Sequence, residues 1–404
     1  MNYIQRYLES TVLETNKSFK VLYVGGPRQV GKTTMLQKLA GQLGMNYVTL
    51  DDREAREFAL RDPGLFFKQY TCPLLIDGVQ YAPELFSEIK YIVDKSDTRG
   101  QFWLTGSEQF SAMKNVRESL AGRVGILTLL GFSTAELLHT AKLPAPFSPL
   151  AYGAVGDTSA QELFTNIIRG SFPARYQPEA GSTESFYNSY IQTYLERDIA
   201  QLFNVSKLAD FQVFIQLCAA RTGQTLNMSD LARDAGVSVP TASDWLNILE
   251  SGRQIYLLRP YFVNISKRLV KAPKLYFLDT GLAAYLTKWR TGESLQFGAM
   301  AGAFFETFIV SEIIKSYLFR GIEPPLYYLR DQEGHEVDLL IDEGQRLLPI
   351  EIKLSATISS ADVTPTVFWR KKIKNLGPGA VVCAVQKAST FDRETTLIPY
   401  ALIS

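Results

Sequence analysis

Residues 21–43, VLYVGGPRQVGKTTMLQKLAGQL, have the most informative pattern in the chain. It begins with a short β-rich apolar run and ends in a segment whose apolar residues have helical spacing. Between them, residues 26–33 read GPRQVGKT and fit the spacing G-x-x-x-x-G-K-[ST]. The glycines of such a loop let backbone N–H groups close around a phosphate, and the following helix adds the positive end of its dipole. The stretch therefore predicts a strand, a phosphate-binding loop and a helix.

Two side chains at the end of this loop supply the chemistry of a nucleotide site. Lys32 would reach the β- and γ-phosphates, and the Thr33 hydroxyl would bind Mg²⁺. A glycine-rich turn without a ligand is the alternative, but the strand before the loop and the helix after it favour a binding site. The predicted nucleotide-binding residues are Gly26, Pro27, Arg28, Gln29, Val30, Gly31, Lys32, Thr33 and Thr34.

Two further apolar runs end in polar residues, as strands of the same sheet would. The run LLID places Asp77 at the C-terminal end of a buried strand, where a carboxylate can hold Mg²⁺. The run GQFWLTGS ends in Ser107, whose hydroxyl can sense the γ-phosphate. In a doubly wound parallel sheet, ligand groups lie at the carboxyl ends of the strands. These runs predict an α/β domain with Asp77 and Ser107 beside the phosphate loop.

Arg123 stands between a helical segment and an apolar strand, with Gly122 and Gly125 beside it. In oligomeric ATPases an arginine at this place reaches the γ-phosphate of a neighbouring subunit and stabilises charge in the transition state. An ordinary surface arginine is the alternative. Because Arg123 has no evident partner within its own site, we expect nucleotide-dependent assembly.

The order of these motifs resembles one protein family. GPRQVGKT, LLIDGVQ, TGS and LAGR are followed by YLERDIAQL, LARDAGVS, PKLYFLDTGLAAYL and EVDLLID with PIEIK, over most of the chain. This order is similar to that of prokaryotic AAA+ P-loop ATPases with a winged helix and a restriction-endonuclease-like, PD-(D/E)XK, domain in the C-terminal half. The resemblance implies ATP and Mg²⁺ as cofactors, and a homo-oligomeric ring, such as a hexamer, in which Arg123 acts in trans.

The chain of 404 residues is too long for one ordinary core. The resemblance implies four domains. These are an AAA+ core with a parallel sheet at residues 1–132, a helical lid at 133–204, a winged helix at 205–294 and a small α/β nuclease-like domain at 295–404.

Gly78 departs from this family, in which the residue after the strand-end aspartate is usually Glu. That Glu orients and deprotonates the attacking water, a contribution of roughly 10²–10⁴-fold to the rate. Three interpretations stay open: an engineered or cloning-derived substitution, a natural slow hydrolase, or a base supplied from elsewhere, such as Glu108. A glycine placed to turn the backbone at a strand end is compatible with each of them. We expect tight binding of ATP with Mg²⁺ and slow hydrolysis.

A pattern of three helices follows, at about residues 209–221, 228–235 and 240–251. The second and third are separated by a tight turn at Gly236, as in a helix-turn-helix whose last helix enters the major groove of DNA. The stretch after them contains basic residues and no acidic residue, so we predict DNA contact. A structural module that packs the ATPase against the C-terminal domain is the alternative. The basic residues are Arg253, Arg259, Lys267, Arg268, Lys271 and Lys274.

The last hundred residues predict the element order of a restriction-endonuclease-like core. The predicted helices are 302–318 and 363–375, and the predicted strands are 326–330, 336–342, 348–354 and 379–386. Asp338 and Glu351 lie on neighbouring strands and can share a Mg²⁺ ion. Lys353 lies on the same face as Glu351 and can steer water, and Glu306 on the preceding helix completes the set. Cleavage stays open, because such domains also persist as DNA-binding or docking modules.

The composition restricts the class of protein. The chain is 46% hydrophobic and 21% charged with a net charge of +1, which excludes a globally basic nucleic-acid binder but allows a local basic surface. No segment approaches the roughly 18 apolar residues of a membrane span, so we expect no membrane partner. Three separate cysteines in apolar surroundings predict buried free thiols and a cytoplasmic protein.

Three functions are compatible with these patterns. The leading prediction is an ATP-dependent motor or clamp on duplex or branched DNA, with hydrolysis impaired by Gly78. The second is a DNA nuclease gated by nucleotide, and the third is a nucleotide-switched interaction or regulatory protein in which DNA has no part. Salt-dependent DNA binding separates the first two from the third. Divalent-dependent nicking that is lost in Lys353→Ala separates the second from the first.

Overall fold

The computed structural model describes residues 3–106, 119–139, 159–195, 208–262 and 272–403. Strands and helices are numbered here along those residues. Within them, no helix combines the length and the apolar composition that crossing a bilayer requires.

A five-stranded parallel sheet forms the N-terminal part of the chain, in the order β2-β3-β4-β1-β5. Alternate residues of β1 pack into two different cores, Leu22 and Val24 on one face and Val21 and Tyr23 on the other. Both faces are therefore buried, as in an α/β domain, which confirms the predicted fold class. The strands are β1 Val21–Gly25, β2 Asn46–Thr49, β3 Leu74–Asp77, β4 Phe102–Thr105 and β5 Val124–Thr128, and the helices are α1 Leu8–Ser18, α2 Lys32–Leu43, α3 Arg53–Arg61, α4 Pro63–Gln69 and α5 Leu85–Asp94.

The strand register brings the predicted ligand groups to one edge of this sheet. Thr105 at the end of β4 is opposite Val24 of β1 on one side and Asp77 of β3 on the other. Because β1 leads directly into the loop at residues 26–31, the loop and Asp77 lie at the same carboxyl edge.

A helical region and a small antiparallel sheet follow. Ser238 caps α11 by accepting a hydrogen bond from the Thr241 N–H, and Gly236, with φ of 69°, forms the turn before it. The three predicted helices agree with α9, α10 and α11 to within one residue. The elements are α6 Thr134–Leu137, α7 Ala160–Arg169, α8 Thr183–Tyr190, α9 Leu208–Ala220, β6 Gln224–Thr225, α10 Met228–Asp234, α11 Val239–Ser251, β7 Ile255–Pro260 and β8 Lys274–Phe277. We call α9–α11 with β6–β8 the three-helix module.

The C-terminal domain has the predicted order of helix, strands, helix and strand, with two further strands at its end. β7 pairs in parallel with β9 through Arg259 and Pro260. One nine-stranded sheet, β13-β14-β12-β11-β10-β9-β7-β8-β6, therefore continues from this domain into the three-helix module. The elements are α12 Thr280–Leu286, α13 Gly292–Gln296, α14 Ala301–Leu318, β9 Leu326–Arg330, β10 Glu336–Asp342, β11 Leu347–Lys353, α15 Ser360–Lys372, β12 Gly379–Cys383, β13 Ser389–Asp392 and β14 Thr395–Pro399.

The three cysteines differ in exposure. Cys218 and Cys383 are buried free thiols. Cys72 is a free thiol on the surface, so the prediction of a buried thiol is wrong there. It lies outside the core because the buried strand begins only at Leu74.

Candidate functional site

The loop between β1 and α2 has a backbone conformation that requires glycine at two positions. Gly26 has φ of 137°, and a Cβ atom there would lie 2.0 Å from the carbonyl oxygen of Leu129. Gly31 has φ of 88°. Both positions favour glycine, the first because β5 ends against it and the second because of its left-handed backbone. The loop is therefore held in one compact turn at the N-terminus of α2.

Lys32, Thr33 and Asp77 meet at this turn. The Thr33 hydroxyl donates a hydrogen bond of 2.9 Å to Oδ2 of Asp77. The Lys32 ammonium contacts the carbonyl oxygens of Gly26 and Pro27, at 2.8 and 2.7 Å. Burial raises the pKa of Asp77, against the opposing hydrogen bond from Thr33. A hydroxyl, a carboxylate and an ammonium placed together in this way suit the phosphates of a nucleotide and its Mg²⁺ ion. Of the remaining loop residues, Pro27 and Val30 are buried, Arg28 is partly buried, and Gln29 and Thr34 are exposed.

Two buried polar atoms lie near the same edge of the sheet. Thr105 Oγ1 and Gln80 Oε1 have no hydrogen-bond partner among the described residues. Gln80 Oε1 lies close to Gly106, since a Cβ atom on that glycine would be 2.3 Å from it. Sequence reasoning did not single out Thr105 or assign a role to Gln80. Ser107 and Glu108, which it did single out, lie outside the described residues.

Arg123 has an acidic partner in its own chain. Its Nη2 atom lies 3.0 Å from Oδ2 of Asp94, the last residue of α5, and its Nη1 atom donates to the carbonyl of Ala121. No motif in the sequence indicates this pair, and the expectation that Arg123 has no partner within the nucleotide site itself stays a prediction. The two residues are 29 positions apart in sequence, and the chain folds them together because α5 ends beside β5. The pair is on the surface, where water screens such a contact.

Arg6 anchors the loop, which no motif in the sequence indicated. It is buried, and its Nε atom lies 3.0 Å from Oε1 of Glu136 on α6. Its guanidinium also donates to the carbonyl oxygens of Val30, in the phosphate loop, and Leu130, both at 2.8 Å. Burying such a charge requires this full set of partners.

The predicted nuclease-like residues also meet, at the centre of the C-terminal domain. Lys353 Nζ lies 2.9 Å from Oδ2 of Asp338 and 3.3 Å from Oε2 of Glu351. Burial raises the pKa of Glu351 to about 8, with the charge of Asp338 adding to the shift. Thr366, which sequence reasoning missed, donates to Oε1 of Glu351 at 3.0 Å.

Lys274 was predicted to belong to a DNA-binding surface, and this prediction is wrong. Lys274 is only 2% exposed. Its Nζ atom lies 3.0 Å from Oε1 of Glu306 and 2.5 Å from Oε1 of Glu336, inside the cluster of predicted nuclease residues. The burial pattern of β8 explains the error, since all four residues of that strand are buried.

The rest of the basic run is only partly described. Arg253 lies 3.9 Å from Glu323, and Arg259 lies 3.6 Å from Glu250. Lys267, Arg268 and Lys271 lie outside the described residues.

Two curated relatives match most of the chain. They are "Uncharacterized protein Mb2031c" of Mycobacterium bovis and "Uncharacterized protein Rv2008c" of Mycobacterium tuberculosis, each 30% identical over 341 residues. The match covers 84% of this chain and 71% of each relative. The chain belongs to their family.

Three protein-family profiles match successive parts of the chain. Residues 18–138 match "AAA domain", residues 160–293 match "Domain of unknown function (DUF8612)" and residues 301–403 match "Domain of unknown function (DUF4143)". With the parallel sheet and its loop, the first match makes the N-terminal part a P-loop AAA-type ATPase domain. The winged-helix and nuclease-like assignments stay predictions.

Two solved structures also match parts of this chain. The Walker-type ATPase PABY2304 of Pyrococcus abyssi is 13% identical, with a TM-score of 0.42, over 69% of this chain and 94% of that one. The T158V form of RuvB from Thermotoga maritima is 15% identical, with a TM-score of 0.25, over 62% of this chain and 87% of that one.

Proposed function

We propose that this protein binds ATP with Mg²⁺ at the phosphate loop, hydrolyses ATP slowly and acts on DNA as a motor or clamp. The observation that carries the nucleotide part is the hydrogen bond of 2.9 Å between Thr33 and Asp77, beside Lys32 and the glycine-dependent loop. The DNA part rests on the sequence pattern of the three-helix module and its basic run.

Each residue of the nucleotide site has a distinct role in this proposal. The loop N–H groups and Lys32 bind the phosphates, while Thr33 and Asp77 hold the Mg²⁺ ion, which offsets negative charge on the phosphates. Ser107 senses the γ-phosphate. Gly78 supplies no carboxylate to orient and deprotonate the attacking water, so hydrolysis is slow.

We also propose that the protein forms an oligomer in which Arg123 acts on a neighbouring subunit. In a homo-oligomeric ring its guanidinium leaves Asp94 and reaches the nucleotide of the neighbouring subunit. The ion pair with Asp94 is exposed, so exchanging it for a phosphate contact requires little free energy.

A nucleotide-gated nuclease is the weaker alternative. The carboxylates that would hold its metal ions already contact two lysine ammonium groups, Lys274 and Lys353. A nucleotide-switched regulatory protein that ignores DNA is the other alternative, and a DNA-binding measurement separates it from the proposal.

The nucleotide part is tested by a calorimetric titration of ATP with Mg²⁺. We expect Lys32→Ala to abolish measurable binding, because it removes the only ammonium group that the loop itself supplies to the phosphates. Lys68→Ala, which removes an exposed lysine from α4, is the matched control and should bind as the unmodified protein does. Unchanged affinity in Lys32→Ala would overturn the site assignment.

The same proteins are then titrated with duplex and four-way DNA over a series of salt concentrations. Binding that weakens steeply with salt supports action on DNA, since each phosphate contact contributes close to one unit to the slope. If neither DNA binds at low salt, with ATP present or absent, the regulatory alternative is preferred.

A further inference from the structure

The carboxylate cluster of the C-terminal domain contains a cation from outside that domain. Lys274 belongs to β8 of the three-helix module, whereas Glu306 belongs to α14 and Glu336 and Asp338 to β10. The Lys274 ammonium contacts Glu306 and Glu336, and it lies 3.9 Å from Oδ1 of Asp338. Three carboxylates from two elements therefore face a single buried ammonium group.

Lys274 reaches these carboxylates across two intervening strands. β7 and β9 lie between β8 and β10 in the sheet. At about 4.8 Å per strand, β8 and β10 would be roughly 14 Å apart in a flat sheet. Lys274 Nζ nevertheless lies 2.5 Å from Glu336 Oε1, next to α14, which packs against both β8 and β11. The position of Lys274 is thus built into the joint between the two domains.

The cluster does not fit a divalent metal ion in this arrangement. Oδ2 of Asp338 accepts hydrogen bonds from the Ile352 N–H and from Lys353, both at 2.9 Å. Oε1 of Glu306 accepts from Lys274 and, at 2.5 Å, from the Tyr276 hydroxyl. One oxygen of each of these two carboxylates already has protein donors, and a second positive charge next to an ammonium group is repelled.

The pKa shifts agree with this geometry. Burial by itself would raise the pKa of Asp338, but the ammonium groups of Lys274 and Lys353 hold it below its ordinary value. Burial disfavours the charged form of Lys274, yet the oxygens of Tyr276, Glu306 and Asp338 raise its pKa well above the ordinary value.

We propose that the Lys274 ammonium occupies the cation position of this cluster and locks the three-helix module to the C-terminal domain, so that these carboxylates bind no divalent metal ion. The same geometry makes the metal site latent. Removing the ammonium leaves Glu306, Glu336 and Asp338 without their shared cation, and we expect these carboxylates to draw together around a divalent ion in its place.

The test is a titration with Mn²⁺ in the absence of nucleotide, followed by the loss of the electron paramagnetic resonance signal of the free ion. All proteins carry Asp77→Asn, so that the phosphate loop does not bind Mn²⁺. We expect Lys274→Met to bind Mn²⁺ at least about tenfold more tightly than the protein with Lys274 intact, because a charge that competes for the same ligands is gone. The added Asp338→Asn change should abolish the gain.

Lys315→Met is the matched control, because Lys315 is also buried and, within the part of the chain that the structure describes, pairs with one glutamate, Glu312. It should gain no Mn²⁺ binding. Equal Mn²⁺ affinity with and without Lys274 overturns the proposal, as does a gain in Lys315→Met of the same size.

If Lys274→Met does not fold by itself, its refolding from urea is measured with and without Mn²⁺. A refolding yield that rises with Mn²⁺ in Lys274→Met, and not in Lys315→Met, supports the proposal. A yield that does not respond to Mn²⁺ overturns it.

Discussion

Gly78 has a structural role besides its missing carboxylate. Its φ of 76° lies in the left-handed region, between β3 and the 3₁₀ turn Val79–Tyr81. A Cβ atom would lie 3.2 Å from Cδ2 of the Tyr81 ring, so a larger residue must also displace that ring. The glycine therefore fits the turn that follows Asp77, and any replacement is strained whatever its chemistry.

We expect Gly78→Glu to raise kcat for ATP hydrolysis by roughly 10²-fold, because it returns a water-orienting base to the site. Its affinity for ATP should change little, since Lys32, Thr33 and Asp77 carry binding. The free energy of unfolding should fall by about 1–2 kcal/mol, the usual cost of a left-handed backbone for a residue with a Cβ atom. Steady-state hydrolysis and urea unfolding measure the two effects.

Gly78→Gln is the control that separates the effect of backbone strain from the effect of an added base. It has the same backbone cost as Gly78→Glu but no base, so its kcat should not rise. An equal rise in both variants, or hydrolysis of several ATP per second by the unmodified chain, would show that another residue supplies the base, and Glu108→Gln would then be the next variant to measure.

Among the secondary-structure elements, helix α14 links the carboxylate cluster of the C-terminal domain to the region of the phosphate loop. Its 18 residues span about 27 Å. Glu306 near its start lies in the carboxylate cluster, while Glu312 accepts a hydrogen bond from the Thr134 N–H at 2.8 Å. Arg6, paired with Glu136 on α6, continues this chain of contacts to the phosphate loop. One rigid helix thus contacts both the joint of the C-terminal sheet and the segment that anchors the loop.

The connection between β7 and β8 is the element that we expect to contact DNA. The triple change Lys267→Glu, Arg268→Glu and Lys271→Glu should weaken duplex binding by orders of magnitude. Each lost phosphate contact should also reduce the slope of log affinity against log salt by about one. Fluorescence anisotropy of a labelled duplex at several salt concentrations measures both.

A charge-matched triple change at the end of α15, Arg370→Glu, Lys371→Glu and Lys372→Glu, is the control. It should leave the slope nearly unchanged. If both triple variants lose the same affinity, overall charge and not the connection determines binding.

The whole protein is predicted to assemble into an oligomer when nucleotide is bound. With ATP and duplex DNA present, native mass spectrometry should show a homo-oligomer, because Arg123 reaches the nucleotide site of a neighbour in the proposed ring. Asp94→Ala should assemble at least as well, since it frees Arg123 from its intrachain partner. A strictly monomeric particle under saturating ATP and DNA would contradict the prediction.

A mixing experiment tests whether Arg123 acts in trans. Arg123→Ala subunits keep an intact nucleotide site, and Lys32→Ala subunits keep an intact Arg123. Mixed together, they should hydrolyse ATP faster than either variant alone. Activity that does not rise on mixing would leave Arg123 as an ordinary surface arginine.

Local spacing in the amino-acid sequence was enough to predict several features of the fold. The glycine pattern at residues 26–31 predicted the loop, and the apolar run ending in Asp77 predicted the strand that places a carboxylate beside Thr33. The three helices of the module and the strands β9 to β11 were predicted to within about one residue, because periodicity and capping residues act over a few neighbouring positions. The family resemblance supplied what spacing alone does not, the identity of the residue usually found at position 78.

The pairing of distant charges, in contrast, follows from tertiary packing and not from any local pattern. In the sequence, Lys274 is one more basic residue of a predicted surface run, yet the packing of elements from two domains buries it among carboxylates. Arg123 meets Asp94, and Arg6 meets Glu136 across 130 positions, for the same reason. Such contacts depend on the angles at which whole elements pack, and those angles are set by the summed burial of many side chains and not by any short motif.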